Sequence, residues 1–214
     1  MKYYEALRES AEVCIYNGKE VVPLDAELSG GMDGQNFLID DEKNIGYVLK
    51  TERNKEGEIK ESTLLSFKTG KKADGKCSVV AEDVDAMMGA KNGDVYYLAD
   101  MDEGMGDLYC NDELIDSDVM RSSLEFTKEK EYPVYATDYN DSKNLFTLKM
   151  FNGKDAKVIA DDVFDYKIVD EKKIAVLADY DDEDGTGTLK LYRGKDKLTE
   201  LDDDVTCLFG GKYN

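Results

Sequence analysis

The stretch that decides the fold is Ile159-Ala160-Asp161-Asp162-Val163, in which two large apolar residues flank three small or acidic ones. The same phrase recurs four more times, as Leu24-Asp25-Ala26-Glu27-Leu28, Val80-Ala81-Glu82-Asp83-Val84, Ile115-Asp116-Ser117-Asp118-Val119 and Leu201-Asp202-Asp203-Asp204-Val205. Successive copies lie about 44 residues apart on average, which indicates an architecture of repeated supersecondary units.

Two further sequence phrases recur along the chain together with this one. An apolar stretch ending in aspartate occupies residues 96–100, 134–138 and 175–179, and a strand-like stretch ending in a Gly-Lys turn occupies residues 13–19, 64–71, 148–154 and 189–195. Leu148-Lys149-Met150 alternates with the period of two that a half-buried strand requires. The glycines supply the positive φ that tight hairpin turns demand. Each repeat therefore reads as four antiparallel strands.

A four-stranded unit of this length is typical of a β-propeller blade. We expect a single all-β domain over residues 1–214, a five-bladed β-propeller of four-stranded antiparallel blades. Blade 1 combines residues 1–28 with 206–214, and the others span 29–84, 85–119, 120–163 and 164–205. Strands from both termini would then close the ring in one blade and bury two sheet edges. The competing reading is a short helix over residues 4–13, which the residue propensities there also allow.

The repeat resembles the β-propeller repeats of Gram-positive bacterial surface proteins and, distantly, the TolB-like propellers. The residues that carry the resemblance are the strand phrases ending at Asp100, Asp138 and Asp179, and the Gly-Lys turn followed by the acidic phrase. The resemblance implies an extracellular or cell-surface location. It says little about activity, because such scaffolds serve many functions.

The net charge of the chain limits the classes of molecule that it can bind. The chain carries 48 acidic and 28 basic side chains, for a formal net charge of −20. Such a charge repels phosphate backbones and anionic lipid, so we expect neither nucleic acid nor a membrane surface as partner. No apolar run reaches the roughly 20 residues of a membrane span, so we expect no membrane insertion by this chain. We expect the protein to be a monomer. We also expect its four cysteines to be free thiols that are buried on strands.

The sequence offers little catalytic chemistry. It contains no histidine, which excludes serine–histidine, cysteine–histidine and zinc–histidine sites. Paired carboxylates remain possible, as in five-bladed glycoside hydrolases, but there is no tryptophan to stack on a sugar. We therefore expect a non-enzyme, with a carbohydrate-binding or glycoside-hydrolase-like propeller as the alternative.

Calcium is the most specific cofactor hypothesis, although no cofactor is required. Asp179-Tyr180-Asp181-Asp182-Glu183-Asp184-Gly185 places alternating carboxylates before a glycine turn, as hard-cation loops do. Asp179, Asp181 and Asp184 are the candidate ligands. The glutamate expected at position 12 of an EF-hand is replaced by Lys190, and an acidic, solvated hairpin turn explains the same residues.

The resulting functional expectation is a non-enzymatic, extracytoplasmic scaffold that binds a protein or a peptide. A rigid repeat presents loops whose sequence can vary without disturbing the fold. Two alternatives stay open at this point: the carbohydrate module, and a calcium-stabilised structural spacer.

Overall fold

The protein is all-β in the part that the computed structural model describes, which is residues 13–25, 37–56, 59–89, 93–194 and 198–208. Two short 3-10 turns, Gly70–Lys72 and Arg121–Ser123, interrupt the strands. The strands are β1 Cys14–Tyr16, β2 Val21–Pro23, β3 Phe37–Asp40, β4 Ile45–Arg53, β5 Ile59–Lys68, β6 Cys77–Glu82, β7 Val84–Gly89, β8 Val95–Asp102, β9 Met105–Cys110, β10 Glu113–Met120, β11 Glu125–Phe126, β12 Pro133–Asn140, β13 Leu145–Phe151, β14 Ala156–Asp170, β15 Lys173–Asp181, β16 Thr186–Tyr192 and β17 Leu198–Val205. No helix in these ranges has the length and apolarity needed to cross a membrane.

The strands form four sheets in which chain neighbours are sheet neighbours. β1 and β2 make a two-stranded sheet, β3 to β6 and β7 to β10 make two four-stranded sheets, and β11 to β17 make a seven-stranded sheet. The strand pairings are antiparallel. This hairpin-to-hairpin order follows from the short Gly-containing turns, since antiparallel strands need only a few connecting residues.

The prediction of a closed five-bladed propeller is wrong. The described residues form four sheets, and the blades predicted at 120–163 and 164–205 are joined in one seven-stranded sheet. The reason is β14, a strand of 15 residues that pairs with β13 through its first half and with β15 through its second half. A sequence period identifies equivalent positions. It does not report whether hydrogen bonding continues from one unit into the next.

The predicted closing blade is also not formed by the described residues. Here β1 and β2 pair with each other alone, and residues 206–208 are not in a strand. The described residues leave out the remaining parts of that blade, which are residues 1–12, 26–28 and 209–214. The alternative N-terminal helix, over residues 4–13, also lies outside the described residues except for Val13.

The repeat itself is visible in the hydrogen-bond register. Val84 pairs with Ala99 at the start of one sheet, and Val163 pairs with Ala178 at the corresponding point of the seven-stranded sheet. Within that sheet the β12–β13 and β15–β16 hairpins have the same register. Thr137 pairs with Thr147 in the first hairpin, and Ala178 pairs with Thr188 in the second, 41 positions further along the chain on each strand. We call each four-strand repeat a module. The seven-stranded sheet contains two modules that share β14.

The chain divides into two compact units: unit 1 contains Met1–Asp102 and Leu108–Leu114, and unit 2 contains Glu103–Asp107 and Ile115–Asn214. Unit 1 has two apolar clusters, one around Leu64 and Val84 and one around Val48 and Phe67. Unit 2 has one larger cluster, which contains Val163 and its neighbours from β12 to β16. The unit 1 cluster uses alternate residues of β8, namely Val95, Tyr97 and Ala99, and the residues between them are buried as well, so β8 is covered on both faces.

The four cysteines are free, but the expectation that they are buried on strands is wrong. Cys14 and Cys207 are exposed, while Cys77 and Cys110 are half-buried. Cys14 lies on β1 on the opposite side from Ile15, which packs onto the core, and Cys207 follows the end of β17. Apolar character alone did not reveal which face of the strand each thiol occupies.

Candidate functional site

The aspartates that mark the repeat occupy left-handed backbone positions. Asp138 and Asp179 have φ of 53° and 52°, and each lies where its strand shifts register against the next. The same conformation recurs at Asp83, Asp100, Asp118, Asp162 and Asp204. Aspartate tolerates this region better than most residues, and one left-handed residue is a common way to build a β-bulge. Backbone geometry therefore explains the repeated acid before any ligand is considered.

The three candidate calcium ligands have partners within the protein. The Lys190 ammonium donates a hydrogen bond to the Asp179 carboxylate across the β15–β16 hairpin. Asp181 Oδ1 accepts the backbone N–H groups of Glu183 at 2.8 Å and of Asp184 at 3.4 Å, which is an Asx turn that closes the hairpin. Asp184 itself is exposed.

Across the described ranges, no group of three acidic or cysteine side chains is placed so that it could hold a metal ion. The structure places Asp179 in an ion pair and Asp181 in a turn, so two of the three predicted ligands already serve the hairpin. The calcium hypothesis stays a prediction, and it requires the pair between Lys190 and Asp179 to open.

A polar cluster in unit 1 joins three hairpin turns. The Lys43 ammonium donates to the Gly93 carbonyl at 2.9 Å and lies 3.8 Å from Asp94 Oδ1. Asn111 Nδ2 donates to the same Asp94 oxygen at 3.2 Å, while Asn111 Oδ1 accepts the N–H of Val95 at 3.2 Å. The turns before β4, before β8 and before β10 therefore hold a cation among oxygen atoms.

The electrostatics of this cluster disfavour an ionised, nucleophilic thiol or phenol. Burial, followed by the carboxylates of Asp40, Asp112 and Asp94, raises the pKa of Tyr47. Burial, followed by Asp94, raises the pKa of Cys110 to about 11. The Cys110 thiol is therefore neutral near pH 7, and a neutral thiol is a poor nucleophile.

A second polar cluster, in unit 2, links strands of two sheets. The Asp116 carboxylate, on β10, accepts the Lys149 ammonium at 2.9 Å and the Tyr135 hydroxyl at 3.2 Å. Tyr135 is fully buried, and burial followed by Asp116 raises its pKa, so the hydroxyl keeps its proton and donates it. Each charged group in this arrangement has a partner of opposite charge, so the cluster has a structural role.

Sequence reasoning missed both clusters. Asp116 lies within the acidic phrase and Lys149 within a strand phrase, but neither phrase indicates that their side chains meet. Asn111 carried one usable signal, because an Asn-Asp pair between two strand patterns predicts a turn with a left-handed residue. Asn111 does have a positive φ, of 57°.

Comparison with known proteins identifies no family. No known family profile matches the sequence, and no curated protein matches it. Among solved structures the chain is similar to a candidate 6-phosphogluconolactonase from Bacteroides uniformis ATCC 8492, with a TM-score of 0.36 and 11% sequence identity, over 91% of this chain and 66% of that chain. The chain thus spans slightly less than two thirds of that protein, and a likeness this weak carries no conclusion about fold or activity.

Proposed function

We propose that this protein is a non-enzymatic, extracytoplasmic module that binds a protein or peptide partner through a basic segment of that partner. The single observation that carries the proposal is the excess of exposed carboxylate on hairpin turns of a rigid sheet. The turn after β15 exposes Asp182, Glu183 and Asp184 with no basic residue among them, and the turn after β12 exposes Asp141 beside Lys143. Repeated sheets of this kind, as in propellers and other repeat proteins, serve as binding scaffolds. The location follows from the sequence resemblance.

Charge supports a basic ligand. The net charge of −20 attracts cationic segments at long range and accelerates their association at low salt. The polar cluster of unit 1 gives a local example, because the Lys43 ammonium lies against a carbonyl and a carboxylate.

The chemistry of the nucleophiles supports a non-enzyme. The sequence has no histidine to serve as a general base. Burial raises the pKa of Cys77 as well as that of Cys110, which keeps both half-buried thiols protonated. Neither feature favours hydrolysis or group transfer.

Fluorescence anisotropy with a labelled oligolysine peptide tests the proposal, with oligoglutamate as the negative probe. The triple variant Asp141→Asn, Asp182→Asn, Asp184→Asn removes charge from the turns and spares the Asx residue Asp181. If each exposed charge pair contributes roughly 0.5 kcal/mol, the variant weakens binding about tenfold.

A matched control separates the turns from net charge. The variant Glu125→Gln, Glu200→Gln, Asp203→Asn removes three exposed acids that lie on strands of unit 2. We expect it to bind oligolysine nearly as tightly as the natural chain. Equal weakening by both triple variants would show that bulk charge alone attracts the peptide, and the assignment to the turns would be abandoned.

A further inference from the structure

One segment of unit 2 departs from the repeat. From the valine that closes an acidic phrase to the next repeated aspartate, the chain takes 16 positions to reach Asp100 or Asp179 and 19 positions to reach Asp138. Where two other modules have β7 or the second half of β14, this module has a 3-10 turn, the two-residue strand β11 and a loop. We call residues 124–131, which contain β11 and most of that loop, the strap.

The strap takes the place of a full strand along one edge of β12. In the two other modules the corresponding edge is covered along its length by β7 and by the second half of β14. On β12, backbone pairing with β11 reaches Val134 and Pro133, and the N–H of Ala136 donates to the Ser123 hydroxyl at 2.8 Å. Because an uncovered strand edge can pair with another chain, the strap protects the beginning of β12.

Both ends of the strap are fixed to the core of unit 2. Before it, the Ser123 carbonyl accepts the hydroxyl of Tyr166, a buried residue of that core. Burial raises the pKa of Tyr166, so this hydroxyl keeps its proton and donates it. After the strap, Tyr132 packs against the same core. Ser123 and Tyr132 therefore act as two hinges.

Between the hinges the strap is held mainly by polar groups. Across residues 124–131, all of which the structure describes, Thr127 is the one buried residue, and its side chain is a hydroxyl. The apolar side chains of Leu124 and Phe126 are half-buried. Since core strands are stabilised by fully buried apolar groups, a segment held in this way opens at a lower free energy than they do.

Glu171 supplies the polar contact that closes the strap onto the sheet. It lies in the turn between β14 and β15, and its two carboxylate oxygens accept the Thr127 hydroxyl at 2.8 Å and the Glu129 N–H at 2.7 Å. The Thr127 hydroxyl in turn accepts the N–H of Tyr132 at 3.0 Å. Hydrogen bonds to a carboxylate are roughly twice as strong as those between neutral groups. One side chain from a distant turn thus fixes the loop.

We propose that the strap opens as a local unit while the rest of the sheet stays folded, and that the Glu171 carboxylate is the latch that keeps it closed. Opening breaks both bonds to Glu171 together with the pairing of β11, and it uncovers the edge of β12 at Pro133 and Val134. The device is independent of the basic ligand, because the strap covers the beginning of β12 whereas the acidic turn follows its end.

Hydrogen exchange followed by mass spectrometry tests the proposal. In the natural chain the strap amides should be less protected than those of β14 and β15. Glu171→Gln keeps the size of the side chain but removes its charge and one acceptor oxygen, so strap protection should fall by about tenfold or more, with β14 and β15 unchanged. Glu129→Gln is the matched control, since it makes the same chemical change but leaves the backbone N–H that bonds to Glu171. It should behave as the natural chain.

Thr127 provides a second test of the same latch. Thr127→Val removes the hydroxyl and should open the strap as Glu171→Gln does, whereas Thr127→Ser keeps the hydroxyl and should retain most of the protection. This pair decides the question if Glu171→Gln loses its native circular dichroism spectrum. Equal strap protection in Glu171→Gln and Glu129→Gln, or in the two Thr127 variants, would overturn the latch. Strap amides as protected as those of β14 in the natural chain, or equal loss of protection in both by Glu171→Gln, would overturn the local opening.

Discussion

Lys149→Met should destabilise unit 2 by about 2 kcal/mol, because it leaves the Asp116 carboxylate half-buried without its cation. Lys149 Nζ lies 2.9 Å from Asp116 Oδ2, and both side chains are only 20% exposed. Unit charges about 4 Å apart attract by about 4 kcal/mol at an effective dielectric near 20. Desolvation of the two ions offsets part of this, which leaves the roughly 1.5–3 kcal/mol typical of a hydrogen bond to a charged group.

The equivalent position in the next module provides a matched control. Lys190 pairs across the hairpin with Val176 as Lys149 pairs with Tyr135, and methionine replaces the same side chain in both. The Asp179 partner of Lys190 is 54% exposed, so solvent screens that pair. We therefore expect Lys190→Met to destabilise by at most about 1 kcal/mol.

Urea denaturation followed by circular dichroism measures both variants, and both changes lie in unit 2, so they report on the same transition. The slope of free energy against urea should stay unchanged while the midpoint falls. A double-mutant cycle with Asp116→Asn isolates the pairwise energy. Equal destabilisation by the two methionine variants would refute the reasoning, because burial of the pair would then have no effect on its strength.

Three further outcomes are expected. Cys14 should react with a thiol reagent near pH 8 much faster than Cys110, because Cys14 is exposed while burial raises the pKa of Cys110 to about 11, which leaves only about one Cys110 thiol in a thousand ionised at pH 8. The neutral Cys110 thiol stabilises the fold below pH 9, and that contribution is lost as pH rises through 11. Equal labelling rates at pH 8 would contradict this burial. Calcium should raise the melting temperature of Lys190→Gln more than that of the natural chain, because the variant frees the Asp179 carboxylate of the predicted loop. Thermal melting with calcium and with chelator measures this. No shift of the melting temperature in either protein would remove the calcium hypothesis. Gly93→Ala should destabilise unit 1 clearly more than Gly18→Ala in urea denaturation. Both glycines have positive φ, of 80° and 91°, but a Cβ at Gly93 would lie 2.1 Å from an Asp40 oxygen while one at Gly18 meets nothing within 4 Å. Equal losses of about 1 kcal/mol would show that backbone conformation alone decides.

The strands and their repeat were predictable because their information is local. Alternation in Leu148-Lys149-Met150 and the glycine turn at Gly153 predict one hairpin, and the structure has β13 and β14 there, with Gly153 at φ 87°. The same reading predicts an equivalent hairpin 41 residues later, which β16 and β17 supply. Side-chain alternation and turn chemistry depend on neighbours in sequence, and those neighbours are visible without a structure.

The assembly of the modules was not predictable from the same pattern. At Val163 the chain passes from one module to the next, and the strand continues hydrogen bonding on both sides, with β13 through Phe146 and with β15 through Ala178. The phrase at residues 80–84, where β6 ends and β7 begins, and the phrase at residues 159–163 inside β14 have the same pattern of apolar and acidic residues. The difference depends on long-range pairing, which one sequence does not encode in its period.

The candidate sites divide in the same way. The acidic turn at Asp181 was identified because its residues are consecutive, yet its metal role was inferred from composition, and the structure uses that carboxylate to cap the hairpin. The contact of Asp116 with Tyr135 and Lys149 joins residues up to 33 positions apart on three strands. Only the packing of two sheets brings these three side chains together.

The left-handed aspartates connect the composition of the chain to its architecture. A bulge at the outer strand of a module requires one residue with positive φ, and aspartate meets that need while adding a charge at an exposed edge. Bulges and charges are the two common means by which proteins prevent sheet edges from pairing indiscriminately. On β17 both are present, at Asp204 and its acidic neighbours, beside the uncovered Leu201. Backbone pairing along that edge is thereby discouraged.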